Sequence, residues 1–236
     1  MLLNIEHLSF SYNDKSLIKD LSLQVSNGEV VAILGGNGLG KSTLLKLILG
    51  IIKPTSISPQ TQLSVESINI IKQPDLARQH IAYLPEQAAL YPHLTGFENL
   101  QYMLSLTNKK KLNRDELETY LTRVGLQTDA WHKLTTHYSK GMRQKLMIAL
   151  ALARQVNLML LDEPNTGLDP VATADLNRII YELKLSGVGI LIVSHDLLSI
   201  DEVAEKQLIL RDGKLTPITG SIMQSSLADL RKIFTL

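Results

Sequence analysis

The sequence contains no cysteine, which excludes disulfides and thiolate metal sites and agrees with a reducing compartment. It also lacks any uncharged apolar run of about 18 residues, the length that a membrane-spanning helix requires. The first residues, MLLNIEHLSF, have neither the basic opening nor the long apolar stretch of a secretory signal. The chain is therefore expected neither to span a membrane nor to be exported by the usual route. An excess of one charge is missing too. The formal net charge is +1 with 20% charged residues, so neither a nucleic-acid-binding surface nor a polyacidic tail is expected, and no nucleic-acid partner. There is no internal repeat and no low-complexity tract, and the run Lys109 to Lys111 reads as a solvated loop or helix edge. What is present is 236 residues, 44% of them hydrophobic, enough for one large α/β core with a subdomain.

The remainder is organised around Gly35 to Thr43, GGNGLGKST, which fits G-x-x-x-x-G-K-[ST] through Gly35, Gly40, Lys41 and Ser42. Before it, GEVVAIL suits a buried strand; after it, LLKLILG suits a helix closed by glycine. A Gly-rich loop between strand and helix aims consecutive backbone N–H groups and a helix N-terminus at phosphates. Lys41 adds a charge near the β- and γ-phosphates, and the Ser42 hydroxyl can ligate Mg²⁺. The competing reading is a glycine turn that meets the pattern by chance.

Taken in order, residues 2 to 25 alternate like half-buried strands around a turn at Asn13 to Lys15, which predicts an antiparallel sheet edge. Residues 53 to 72, rich in Ser, Thr, Pro and Gln, predict a surface hairpin or loop. A strand in IAYLPEQ follows. Thr95 with Glu98 resembles a capping box for a helix starting near Gly96. Helical periodicity continues through Arg114 to Leu126 and again after Ser139, so residues 88 to 152 read as an inserted helical lobe. The strand LMLLD (Leu158 to Asp162), the helix VATADLNRIIYELKLSG and the strand VGILIVSH (Val188 to His195) alternate as in a doubly wound sheet. A hairpin turning at Asp212-Gly213 and a C-terminal amphipathic helix over about 221 to 233 complete the reading.

Polar residues at strand ends supply candidate chemistry. Asp162 can hold the Mg²⁺ shell while its neighbour Glu163, pointing another way, polarises an attacking water as general base. The plainer reading is an acid pair at a helix N-terminus. His195 ends a buried strand, where clefts form, and is placed at the γ-phosphate, against the default of a core histidine. Tyr12 can stack on a nucleobase or simply pack across strands. Ser139 and Gly141 precede a long helix, which fits either an anion site or an ordinary N-cap.

Together these motifs resemble the ATP-binding subunit of an ATP-binding-cassette transporter over nearly the whole chain. GGNGLGKST resembles the family's Walker A, with Gly35, Asn37, Gly38, Gly40, Lys41, Ser42 and Thr43 as nucleotide-binding positions. LMLLDEP resembles Walker B, PNTGLDP the D-loop around Asp169, and VSHD the switch histidine at His195. YSKGM stands at the signature, with Ser139, Lys140, Gly141 and Met142, and Tyr12 stands at the adenine-stacking position. The resemblance implies an α/β P-loop NTPase: a RecA-like core over residues 1 to 84 and 153 to 215, an antiparallel β edge, a helical lobe over 88 to 152, and a C-terminal hairpin and helix over 205 to 236. It also implies ATP and Mg²⁺, with Ser42 and, through water, Asp162 as metal ligands.

Two subunits of this family meet head to tail, so Ser139 and Gly141 are expected to reach the opposite subunit's ATP. The expected partners are a transmembrane permease and a second ATPase subunit, identical or paralogous, on the cytoplasmic face of the cell membrane. The sequence departs from the family pattern in places. Glu86 stands where Gln is usual, with Gln87 one step later, which leaves open which of them senses the metal. Gly36 replaces a frequent Pro. Lys140 replaces a frequent Gly and adds a charge near the opposing ATP. The 56 to 68 region lacks the usual Gly turns, leaving its hairpin open. The YLPE and YSKGM forms tilt the reading towards export. The alternative is a cassette ATPase acting as a switch on the ribosome or DNA, although neither a second cassette nor a coiled-coil interruption is present.

Overall fold

The computed structural model describes residues 1–107, 112–196 and 200–218. The Lys109 to Lys111 run and the expected C-terminal helix lie outside these residues. Strands β1 (Leu3–Tyr12) and β2 (Lys15–Val25) pair antiparallel, and β1 also pairs with β4 (Gln62–Val65), which pairs with β5 (Ile68–Asn69). The β4–β5 hairpin forms without glycine because Glu66 and Ser67 take φ of 47° and 67°. Two successive left-handed residues match the right-handed twist of the flanking strands.

The second sheet has six strands in the order β10-β9-β3-β8-β7-β6. Strands β6 (Ile81–Leu84), β7 (Leu158–Asp162), β8 (Gly189–Ser194), β3 (Val30–Leu34) and β9 (Lys206–Arg211) run parallel; β10 (Lys214–Pro217) closes the edge antiparallel. Every residue of β3, β7 and β8 is buried, as their unbroken apolar runs require of strands covered on both faces. Alternate side chains go to opposite cores. Val31, Ile33, Leu158, Leu160, Leu191 and Val193 join the cluster under the antiparallel sheet and α1 (Lys41–Ile48). Val30, Ala32, Leu34, Met159, Leu161, Ile190 and Ile192 join the cluster that includes the helical region.

That region holds α3 (Gly96–Ser105), α4 (Arg114–Arg123), α5 (Thr128–Trp131) and α6 (Lys140–Ala153), after a short α2 (Pro74–Arg78). The Thr95/Glu98 capping box is present, with the Glu98 carboxylate accepting from the Thr95 N–H at 2.8 Å and Thr95 Oγ1 from the Glu98 N–H at 3.2 Å. A second box, Asn113 with Glu116, starts α4. Helix α7 (Pro170–Leu185) follows β7, with Asp169 as its cap, accepting from the Ala172 N–H at 2.8 Å.

Gly96 matters through what it touches. A Cβ there would stand 1.9 Å from the Tyr138 hydroxyl, and that hydroxyl donates to the Ala130 carbonyl at 2.7 Å in a buried bond. Tyr138 immediately precedes the candidate signature residue Ser139. Gly96→Ala, which helix propensity would favour, is therefore expected to cost about 1 to 3 kcal/mol by overpacking and to lower Tm by roughly 2 to 10 °C. A thermal melt checks this; an unchanged Tm would show that the Tyr138 ring yields freely.

Candidate active site

The C-terminal ends of three adjacent strands converge on one cleft, the usual place for a ligand in an open parallel sheet. Strand β3 runs into the loop Gly35 to Gly40, β7 ends in Asp162 and Glu163, and β8 ends in Ser194 and His195. The cleft is lined by Asn37, Gly38, Gly40, Lys41, Ser42, Thr43, Glu86, Asp162 and Glu163. Gly40 takes φ of 103° immediately before α1, a conformation that side chains oppose, and this sharp turn aims the helix N-terminus into the cleft.

Lys41 is buried, only 6% exposed, and its ammonium donates to the Gly35 and Gly36 carbonyls at 2.6 and 3.1 Å. It also faces Glu163 Oε1 at 3.5 Å. The lysine is thus held over the loop rather than in bulk water. Ser42 Oγ lies 3.4 Å from Asp162 Oδ1, while Tyr83 OH donates to Asp162 Oδ2 at 3.0 Å. Burial pushes the Asp162 carboxyl up, the Tyr83 and Ser42 bonds pull it back, and the charges of Glu163 and Glu86 add to the rise. Three carboxylates around one cleft leave an unbalanced negative charge. A hydroxyl and carboxylate oxygens are hard donors, the set that holds Mg²⁺ together with substrate phosphates.

Glu163 is gripped from several sides. Its Oε2 accepts from Ser194 Oγ at 3.0 Å and the His195 N–H at 3.1 Å, and lies 2.8 Å from His195 Nδ1. Thr166 Oγ1 is 3.5 Å away. Burial raises this carboxyl, but the His195 bonds and the Lys41 charge outweigh burial and hold it below the usual carboxylate range. Its backbone is left-handed, φ 49°, a strained conformation for a side-chain-bearing residue. Asp162 is the last residue of β7, and Glu163 with this twist leaves the strand.

Most of the other expected residues lie outside this lining. Tyr12 ends β1, 47% exposed, with its ring edge-to-face on Phe10 at 4.7 Å. Glu86 lines the cleft and Gln87 is not in that lining. Ser139 caps α6 by accepting from the Met142 N–H at 3.2 Å, Gly141 packs towards Ala172 on α7, and Lys140 donates to the Thr166 carbonyl of its own chain. No local pattern in the sequence marks Tyr83, Ser194, Thr166 or Gln144, whose amide donates to the Pro164 carbonyl at 2.5 Å. Tyr83 sits within IAYLPEQ and Ser194 beside His195, but only strand order brings them to the two carboxylates.

The geometry has a counterpart among known proteins. The family model described as ABC transporter matches residues 18–166. The chain belongs to the ABC transporter family. The uncharacterized ABC transporter ATP-binding protein YdbJ of Bacillus subtilis is 34% identical over 215 residues, covering 91% of this chain and 68% of YdbJ. The lipopolysaccharide export system ATP-binding protein LptB of Haemophilus influenzae is 31% identical over 219 residues, covering 91% of this chain and 88% of LptB. A solved structure of an ATP-binding subunit of an ABC transporter is similar with a TM-score of 0.79 at 31% identity, covering 98% of this chain and 92% of that one. The fold is that of the ABC ATPase cassette, a P-loop NTPase. As an ABC transporter ATPase, the chain binds ATP and hydrolyses it to power transport through a permease. Among the described residues no helix is long and apolar enough to cross a membrane.

Proposed function

We propose that two ATPase subunits pair head to tail and hydrolyse ATP with Mg²⁺ at sites completed across the pair. The observation that carries the hydrolytic part of this reading is Glu163: a buried carboxylate beside Lys41, held below the usual carboxylate range and with its orientation fixed by Ser194 and His195. The Gly35 to Thr43 loop, with Asn37 and Gly38, takes the phosphates, and the Lys41 ammonium neutralises charge at the β- and γ-positions. Ser42 and Asp162, the latter through water, would hold Mg²⁺, which supplies further neutralisation of the transferred phosphoryl group. Glu163 orients the attacking water and accepts its proton, and His195 fixes Glu163 and faces the γ-phosphate. Glu86, which lines the cleft, is assigned the metal-sensing position in preference to Gln87. Tyr12 is assigned to the adenine.

Ser139, Gly141 and Met142 serve the partner subunit's nucleotide. Supporting this, none of them lines the cleft of their own chain, although they sit at the N-terminus of a 14-residue helix. Asp169 caps α7, the helix towards which Gly141 packs, and is assigned to the same contact between subunits. The cassette then works peripherally on the cytoplasmic face of the cell membrane, and the similarity to LptB favours export. The test is affinity purification of tagged Glu163→Gln protein from gently solubilised membranes with ATP present. A multi-span membrane protein, together with either untagged copies of this chain or a paralogue, is the expected result. Ribosomes, DNA or no companion would favour the switch function instead.

A further inference from the structure

Helix α6 begins against its own dipole. Its first turn contains no acidic residue and carries Lys140 at the first helical position, where a cation is disfavoured. The lysine is not left to solvent: its ammonium donates to the Thr166 carbonyl. One turn later on the same face, Gln144 donates to the Pro164 carbonyl at 2.5 Å. Both acceptors belong to the short loop that leaves Glu163. That loop closes on itself through the Thr166 N–H, which donates to the Glu163 carbonyl at 3.3 Å, and the Leu168 N–H, which donates to the Asn165 carbonyl at 3.1 Å. Thr166 also points its Oγ1 at Glu163 Oε2, 3.5 Å away. Lys140 and Gln144 thus both hold the loop that leaves Glu163, and the Thr166 side chain of that loop lies at the outer limit of hydrogen-bond distance from the Glu163 carboxylate.

We propose that Lys140 is a positioning residue for Glu163 of its own chain: a strut from the start of α6 to the loop that sets the carboxylate's angle, rather than a ligand of the opposing nucleotide. The inference rests on Glu163 acting as the base. A left-handed φ of 49° at Glu163 has to be held by its surroundings. Ser194 and His195 grip one side of the carboxylate, and the Gln144 and Lys140 bonds grip the loop from the other. Because Ser139 precedes Lys140, the strut also links the surface proposed to meet the partner's nucleotide with the base of this chain's own site.

The strut makes a donor necessary at position 140, but not a particular one. Lys140→Met keeps the length and loses the donor; Lys140→Arg keeps a donor. A hydrogen bond from an ionised donor is worth enough to shift kcat by about tenfold. Lys140→Met is expected to lower kcat by about that factor with KM for ATP within twofold and Tm lower by about 3 to 6 °C, and Lys140→Arg to recover most of both losses. Wild-type kcat in Lys140→Met, or no recovery with Arg, overturns the strut. ATP-driven pairing, followed by size exclusion of Glu163→Gln with and without Lys140→Met, separates the alternatives. Equal pairing supports the strut; weaker pairing on removing the lysine assigns it to the opposing phosphates and overturns the proposal. Turnover that survives Glu163→Gln with Lys140 intact would count against the base assignment itself, a result distinct from any of these.

Discussion

Glu163→Gln is expected to lower kcat for ATP hydrolysis by about 10² to 10³-fold, in the range that a positioned general base contributes. The substitution is close to isosteric and keeps an acceptor oxygen for the Ser194 hydroxyl and the His195 N–H, which now bond Oε2 at 3.0 and 3.1 Å. What it removes is the charge. Burial alone would favour a protonated acid here, yet the His195 bonds and Lys41 hold the group ionised, so the wild-type residue reaches the reaction with its proton site open. The amide has no such site and cannot take the proton from water. The Gly35 to Thr43 loop and Lys41, proposed to bind the nucleotide, stay in place in this variant, with one ion pair at 3.5 Å lost. Losing that pair removes a competitor for the Lys41 ammonium, so affinity for ATP should hold or rise. Steady-state turnover and direct titration with a fluorescent ATP analogue separate the two effects. Turnover within threefold of wild type would remove Glu163 as the base.

Much of this site can be read from the chain because its parts are local. The phosphate loop is nine consecutive residues, the two carboxylates are adjacent, and each strand that carries them is a short apolar run whose burial follows from composition. The Thr95/Glu98 capping box is also local, with both of its bonds formed. What is not local is strand order. Nothing in IAYLPEQ states that β6 lies beside β7, and only that pairing, Tyr83 opposite Leu160 and Leu84 opposite Leu161, brings the Tyr83 hydroxyl to Asp162. Ser194 reaches Glu163 because β8 lies between β3 and β7. The β4–β5 turn is hidden for a different reason: Glu66 and Ser67 adopt left-handed angles usually left to Gly, Asn or Asp, so the sequence has no Asn-Gly or Asp-Gly pair to mark it. The Glu66 carboxylate has a use that accounts for its place there: it pairs with His80 at 2.6 Å and accepts from Asn157, tying the hairpin to the entrances of β6 and β7. Tethering of that kind belongs to the tertiary structure and leaves no local pattern.

Ser139→Arg is expected to abolish ATP turnover while leaving ATP binding by the isolated subunit unchanged. In its own chain Ser139 lies outside the cleft lining and accepts one bond, from the Met142 N–H at 3.2 Å. Losing that cap costs about 1 kcal/mol, too little to unfold a domain with a continuous core on each face of its main sheet. A purely structural cap would therefore give a folded and active protein. If the serine instead meets the partner's nucleotide, its replacement removes that contact and disables only the site that the arginine enters, so both sites fail in a pair of two Ser139→Arg copies. Complementation decides between these outcomes. A pair formed from one Ser139→Arg copy and one Glu163→Gln copy contains a single site with both an intact base and an intact serine. Mixing the two inactive proteins in equal amounts should restore about one quarter of wild-type turnover, since half of the random pairs are mixed and each has one working site of two. Full activity of Ser139→Arg alone would reduce Ser139 to a helix cap. Restored activity on mixing would require the base and the serine of one working site to come from different chains, which a self-contained site cannot produce.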